Sequence, residues 1–320
     1  MEMRTAKNLE EALRTPGATW LGGATWLGGA TDFMPLLKNR VRDDENLVLV
    51  GKLPELLGIA EEEDGLHIGA AETLTDIAFS ELIKKYCPAL AQAAGQTASP
   101  QIRNIATLGG NILQDRRCIY FNQSELWRSS LTGCFKTGGD VCQQIPNSPV
   151  CRAIYYSDTA TALIACDAEV LYYENGEEKR STVEELVHRH CEANGLSCHH
   201  RLPVLIREFV LKKPVEGEKN GFYKYSIRAS IDFPLVNFAL RFGGKRAPKL
   251  VAGAVSTEPV LLPETAALLA DSTVSNDRIA ESAKAELIKK AKLIKEDLIS
   301  PARKRDMFGM IACLLEEIRP

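Results

Sequence analysis

Apolar and polar positions in this chain alternate in short bursts, and no apolar run reaches the roughly 18 residues of a membrane-spanning helix. Residues 10–14 pattern as a short opening helix. Residues 47–50 and 66–70 are compact apolar runs and predict buried strands. Residues 73–85 repeat apolar positions at helical spacing, with Thr73 or Thr75 as the cap. Pro88 opens a further helix that ends near Gly95. Residues 111–156 show little regular periodicity. Strand and helix patterning returns over 160–173, and residues 209–214 close that region. A third segment begins near Gly221, with a strand over 251–255 that Pro259 breaks and helices over 265–270, 277–294 and 301–318. This succession predicts an α+β or α/β class.

One short pattern occurs twice. Ala18-Thr19-Trp20-Leu21-Gly22-Gly23 returns unchanged as Ala24-Thr25-Trp26-Leu27-Gly28-Gly29. One copy reads as strand, glycine turn and helix start. Two in tandem do not, because a strand would be followed at once by its own duplicate. The repeat is either a duplication in the recorded sequence or a bulged insertion. In both cases the second copy runs directly into Ala30-Thr31-Asp32 and is the expected working loop.

The length of 320 residues suggests two domains, or three small ones. A 45% apolar, 25% charged composition is that of a soluble globular protein. A net charge of -3 gives no electrostatic case for nucleic acid or an anionic membrane. The first residues lack an apolar signal core, which predicts a cytoplasmic protein. Nine cysteines without such a signal point to metal or redox chemistry rather than a disulfide framework.

Four of those cysteines, Cys118, Cys134, Cys142 and Cys151, share the aperiodic stretch with spacing C-x15-C-x7-C-x8-C. Zinc ribbons need much closer pairs. Widely spaced thiolates on loops can hold an iron–sulfur cluster; scattered buried thiols are the plain alternative. Location favours the cluster. Tyr120, Phe121, Trp127, Phe135, Tyr155 and Tyr156 supply bulk to wall it off, and Gly133, Gly138, Gly139, Pro146 and Pro149 supply irregular backbone. The stretch also follows directly on a glycine loop, Thr107-Leu108-Gly109-Gly110-Asn111. A second such loop is Gly28-Gly29-Ala30-Thr31-Asp32. Glycines let backbone N–H groups approach phosphate oxygens. Neither loop matches the dinucleotide or P-loop fingerprint, and each alone is more often a plain turn.

His188, His190, Cys191, Cys198, His199 and His200 form another cluster, read as an exposed polar loop in preference to a zinc site. Cys87, Cys166 and Cys313 fall in apolar patterns and are expected in the core. If residues 223–232 are helical, Lys224, Arg228 and Asp232 share one face, either salt-bridged to one another or turned to a cofactor.

Taken together, these pieces resemble the FAD-binding medium subunit of the xanthine dehydrogenase / molybdenum hydroxylase family. The resemblance rests on Gly28 to Asp32, on Gln101-Ile102-Arg103-Asn104-Ile105-Ala106 running into the Thr107–Asn111 loop, on Ser157-Asp158, on Tyr223-Lys224 through Asp232, and on Gly253-Ala254-Val255 with Pro259-Val260. In most of that family the Ser-Asp pair follows Gly-Gly-Asn closely. Here the cysteine stretch separates them, which looks like the β subunit of 4-hydroxybenzoyl-CoA reductase with its additional [4Fe-4S] cluster. The run from Cys118 through Arg128 is closely similar to that insertion.

The resemblance implies an α+β fold: a two-part FAD-binding domain of the vanillyl-alcohol-oxidase type (1–52 and 53–215, with the insertion at 115–156) and a smaller C-terminal α/β domain (216–320). It implies that Leu27, Gly28, Gly29, Ala30, Thr31 and Asp32, with Arg103, Asn104, Thr107, Leu108, Gly109, Gly110 and Asn111, surround the FAD pyrophosphate. Ser157 and Asp158 would lie at the ribityl or flavin portion, Lys224 near the isoalloxazine, and the four cysteines on the cluster. Ala30 departs from the glycine- or threonine-rich family loop. Partner subunits would carry a molybdopterin cofactor and two [2Fe-2S] clusters in a dimer of heterotrimers, with a ferredoxin-like carrier outside. No catalytic residue for the substrate is expected on this chain. The alternatives are the flavin subunit of an NAD-linked xanthine or heterocycle dehydrogenase, and a zinc-stabilised module without redox activity.

Overall fold

The computed structural model describes residues 2–14, 25–196, 201–228, 230–296 and 299–319. The first hexapeptide copy and Cys198, His199 and His200 lie outside the described residues.

Three sheets organise the chain. The first is parallel, with β3 (Asn46–Leu49) between β1 (Glu2–Thr5) and β2 (Thr25–Leu27). Its centre is apolar because Leu47 and Val48 are buried on opposite faces of β3. Helix α1 (Leu9–Leu13) is capped by the Asn8 side chain, and its Ala12 carbonyl accepts from the Trp26 indole at 3.0 Å. Helix α2 (Phe33–Lys38) follows β2 after the second hexapeptide copy.

The second sheet is antiparallel in the order β4-β5-β8-β6-β7: β4 (Ile59–Glu61), β5 (Leu66–Gly69), β6 (Glu169–Glu174), β7 (Glu177–Thr182) and β8 (Val204–Leu211). Asn175 and Gly176 both take positive φ, the two-residue turn that a β6–β7 hairpin requires. Helices α3 (Leu74–Phe79), α4 (Glu81–Tyr86) and α5 (Pro88–Gln96) cover one face, burying Leu74, Ile77, Ile83 and Leu90 with Leu66, Ile68 and Phe209. The single helix expected over 73–85 is thus two. Ser80 adopts extended backbone between them, and its hydroxyl accepts from the Ile83 amide to start the second. Short α6 (Pro100–Arg103) and α7 (Leu108–Ile112) lead to the insertion, which holds only α8 (Glu125–Arg128) and one 3-10 turn (Phe135–Thr137). Helix α9 (Asp158–Ala165), entirely buried, and α10 (Val183–Leu196) complete this part.

The third sheet is antiparallel, β12-β11-β10-β9, from β9 (Lys219–Tyr225), β10 (Val236–Phe242), β11 (Lys249–Gly253) and β12 (Val260–Leu261). One face carries Phe238, Leu240 and Leu250 into a core with α11 (Pro263–Leu268), α12 (Asn276–Lys290) and α14 (Ile311–Ile318). The other face sends Phe222, Ala239 and Val251 into the core of the second sheet, so the two parts share buried surface. The long C-terminal helix expected over 301–318 is broken: α13 (Pro301–Asp306) gives way to a 3-10 turn (Met307–Met310) containing Gly309 before α14. The α12 helix also stops at Lys290, short of the expected 294.

Two further expectations are corrected. Residues 219–225 form strand β9, so the condition of a helix over 223–232 is not met; they pair along β10, with Lys224 opposite Asn237. No common helical face of Lys224, Arg228 and Asp232 exists. His188, His190 and Cys191 lie on α10 rather than an exposed loop, with His190 and Cys191 turned into the core.

Candidate functional site

An open cleft of about 980 Å³ is walled by β2, the loop after it, the segment around α7 and the strand β9. That volume is at the upper end of ordinary cofactor pockets. Leu27, Gly28, Gly29, Ala30, Thr31 and Asp32 line it, as do Thr107, Gly109, Gly110, Asn111, Asp158 and Lys224.

The two glycine loops touch. A side chain on Gly28 would stand 2.4 Å from the Thr107 Oγ1, and one on Gly29 would stand 1.9 Å from the Ile105 carbonyl oxygen. Only glycine permits this approach. The loops differ in what they offer a ligand. In the second, the Gly109 amide donates to the Ala70 carbonyl at 2.9 Å, Gly110 to Thr107 Oγ1 at 3.2 Å and Asn111 to the Thr107 carbonyl at 2.9 Å. In the first, the amides of Gly28, Gly29, Ala30 and Thr31 meet no acceptor among the described residues. The free donors belong to the first loop, and Ala30 bends it with a left-handed φ of 55°.

Asp32 faces the insertion. Its carboxylate accepts from the Arg117 guanidinium and from the Asp115 amide at 2.9 Å. Burial pushes its pKa up, against the pull of Arg117. Asp115 in turn accepts from Arg42 and Asn194, with the Lys136 ammonium 3.4 Å away. Burial would raise this carboxyl too, but Lys136, Arg42 and Arg201 together hold it well below the usual range. His190, also on the cleft wall, keeps its Nε2 3.0 Å from the Gln114 carbonyl oxygen, so that nitrogen carries the proton. Its burial drops the pKa to about 4, and the ring is neutral.

Asp158 and Lys224 form a second buried centre. Ser157 caps α9, its Oγ accepting from the Ala160 amide at 3.1 Å. Asn111 Oδ1 accepts from Ser157 and Thr159 hydroxyls, both at 2.7 Å, tying the second glycine loop to α9. Lys224 Nζ donates to Asp158 Oδ2 at 3.0 Å and to the Gln96 carbonyl at 2.9 Å; Asn237 Nδ2 donates to Asp158 Oδ1 at 2.5 Å. Burial raises the Asp158 pKa and Lys224 opposes the rise. Arg228 and Asp232 pair with each other in the loop beyond β9.

Four residues expected at the site stand behind it instead. Arg103 holds the Thr97 and Ala98 carbonyls at 2.9 and 3.1 Å, Asn104 bonds Thr75, Leu108 is core, and Ser157 is the cap. Conversely, Arg42, Asp115, Arg117, Asn194 and Arg201 were not anticipated. The one sequence signal was the charged run Asp115-Arg116-Arg117 between the glycine loop and Cys118.

The insertion hangs from one antiparallel bridge. Arg117 and Ile154 exchange both backbone hydrogen bonds, at 2.7 and 2.9 Å, bringing Cys118 and Cys151 to adjacent arms. All four cysteines, with Tyr120, Phe121, Phe135 and Lys136, line one small cavity. Donors already face three of the sulfurs: Gln144 Nε2 at 3.6 Å from Cys118, the Thr137 hydroxyl at 3.5 Å from Cys134 and the Ala153 amide at 3.4 Å from Cys151. Burial raises the Cys118 and Cys151 thiols. Among the described residues, the group of three potential ligands lying within 4.8 Å of one another is Glu62, Asp64 and His67, so no three of these sulfurs are that close. Tetrahedral zinc needs its sulfurs about 3.8 Å apart, given a Zn–S bond of about 2.3 Å. A cluster, wider than one ion, spreads its thiolates further and takes hydrogen bonds on sulfur. Four thiols on one cavity, three with donors on sulfur, are a donor set whose chemistry suits a cluster.

Residues 1–200 match the family described as FAD binding domain in molybdopterin dehydrogenase. The chain belongs to this family. As a member, it is an FAD-binding subunit of an oxidoreductase complex of the molybdenum hydroxylase group. It is 29% identical over 257 residues to the aldehyde oxidoreductase FAD-binding subunit of Escherichia coli (strain K12), covering 78% of each chain. It is 39% identical to the carbon monoxide dehydrogenase medium chain of Hydrogenophaga pseudoflava over 79 residues, 25% of this chain and 28% of that one. Reconstituted CO dehydrogenase from Oligotropha carboxidovorans has the same fold, with a TM-score of 0.74 at 16% identity over 97% of this chain and 94% of that one. An α+β flavoprotein fold is therefore shown. No helix among the described residues is long and apolar enough to cross a membrane.

Proposed function

We propose that this family member carries both FAD and a [4Fe-4S] cluster, and relays electrons within a complex like 4-hydroxybenzoyl-CoA reductase, which dehydroxylates an aromatic acyl-CoA. The observation that carries this reading is the shared wall: Lys136 lines the cysteine cavity, Asp115 lines the cleft, and they lie 3.4 Å apart. A cluster and a flavin placed on the two sides are close enough to exchange electrons. The cofactors supply that redox chemistry when bound; the chain supplies position, insulation and charge.

In this reading the free amides of Gly28 to Thr31 receive the pyrophosphate. Asp32, repelled by phosphate, braces that loop to Arg117. Thr107 to Asn111 form the opposing wall, Leu27 leads into the loop, and Arg103, Asn104, Leu108 and Ser157 hold the wall in place. Asp158 and Lys224 fix a polar end of the cleft for the flavin portion. Cys118, Cys134, Cys142 and Cys151 ligate the cluster. Partner subunits hold the molybdopterin cofactor and two [2Fe-2S] clusters in a cytoplasmic dimer of heterotrimers, and a ferredoxin-like protein delivers electrons at the insertion. The substrate is bound on a partner.

The test is iron, acid-labile sulfide, zinc and FAD content of anaerobically purified protein, with its visible spectrum. About four iron and four sulfide per FAD is the expected result. FAD without iron would reduce the insertion to a structural loop and favour an NAD-linked dehydrogenase. Zinc in place of iron would overturn the cluster.

A further inference from the structure

Between the two sites lies a buried charge that no side chain answers among the described residues. Asp115 and Arg117 line the cleft; Arg116 does not. Its side chain is 2% exposed, and its Nε and Nη2 have no hydrogen-bond partner among the described residues. A guanidinium stays protonated, and one buried without an acceptor is costly. Its surroundings show what it faces. It packs on α10 at Gly195, where a methyl group would stand 2.6 Å from Nη2. The carbonyl of Gly195 accepts from the Cys151 amide at 3.1 Å, so the guanidinium and Cys151 meet at the same residue. The neighbouring cation, Lys136, is already bonded to both Asn194 oxygens, at 2.7 and 3.0 Å, with Asp115 beside it. Arg116 is the cation left to act outward.

We propose that Arg116 is a potential-setting residue for the four-cysteine centre: its fixed positive charge, held against Gly195 beside Cys151, stabilises the reduced cluster and raises its reduction potential. This rests on the cluster reading above. Added negative charge after one-electron reduction is compensated by a nearby cation, and burial strengthens that effect. Gly195 is the seat that makes the approach possible. The inference therefore names two positions, one charged and one empty of side chain.

The test is a potentiometric titration of the cluster, followed by electron paramagnetic resonance, in the complete complex carrying wild-type, R116K, R116Q or G195A subunits. Wild-type protein without iron would defeat the cluster reading itself and is recognised before any titration. With iron present, R116Q is expected to shift the reduced-to-oxidised ratio at fixed potential at least tenfold toward oxidised, about 59 mV lower for a one-electron couple. R116K should recover most of the shift, and G195A should fall between, while the flavin midpoint stays in place. An unchanged cluster midpoint in iron-replete R116Q would overturn the proposal. If R116Q fails to retain iron, R116K and G195A decide: equal midpoints for wild type and G195A would overturn it, and a lowered G195A midpoint rescued in no way by buffer or salt would uphold it.

Discussion

The Asp32 carboxylate accepts the Asp115 backbone amide at 2.9 Å, across 83 residues of sequence. This bond joins the glycine loop to the first residue of the cysteine insertion. Both ends of Asp32 are thereby committed, one to that amide and the other to Arg117. Asp32→Ala should leave Arg117 half-buried without its carboxylate and loosen the loop. A loss of about 2 kcal/mol in unfolding free energy is expected, with weaker FAD retention on gel filtration; unchanged retention would remove Asp32 from the loop's support.

Cys134→Ser should remove the cluster and spare the flavin. Cys134 lines the cysteine cavity and is not on the cleft wall. Iron and sulfide should fall to background while FAD stoichiometry and the fold persist. Undiminished iron would show that Cys134 is not a ligand.

Beside the two positions that must be glycine, the loop contains one that would be better so. Gly29→Ala drives a methyl group into the Ile105 carbonyl and should cost roughly 3 kcal/mol or prevent folding. Ala30→Gly should do the reverse, since a left-handed φ of 55° strains alanine. Its relief, less the entropy added to the unfolded chain, is about 0.5–1 kcal/mol. Denaturant unfolding of the two variants reads both signs.

His190 makes stability depend on pH in a known direction. Its folded pKa, about 4, lies below the 6.5 of the unfolded chain, so its contribution is complete above pH 6.5 and lost as pH falls toward 4. Between ~pH 7.5 and ~pH 5 the loss should be about 2 kcal/mol. His190→Gln should flatten that slope. Asp115, held low, adds a further loss through the carboxylate range; Asp32 and Asp158, raised by burial, act in the opposite sense there.

Asp158 and Lys224 should fail together. Removing either leaves a buried charge uncompensated, and Asp158→Ala is expected to cost about 3–5 kcal/mol. The double variant D158N/K224M should recover part of that. A full additive loss in the double variant would mean that the two residues do not act as a pair.

Much of this arrangement was visible in the chain because local rules announce it. Glycine pairs flanked by polar residues marked both loops, and the cysteine spacing marked the insertion. What remained hidden depends on partners distant in sequence. The charge spacing of Lys224, Arg228 and Asp232 left a helix open, whereas Lys224 lies on a strand because residues 236–242 offer a mate. Ser80 split a helix that its apolar pattern would have continued. His190 and Cys191 read as polar loop because their burial is set by α10 packing under the insertion stem. Gly195 gave no sequence sign at all, since its role is defined only by the side chain opposite it.

The bridge between Arg117 and Ile154 also bears on how such a chain is assembled. Residues joined by a hydrogen-bonded antiparallel pair stand about 5.5 Å apart at Cα, so everything from 118 to 153 leaves and returns through a gap that a tight turn could close. The loop from 118 to 153 is thus attached like a cassette: an engineered hairpin joining Arg117 to Ile154 would excise the four cysteines while leaving the bridge that closes the stem.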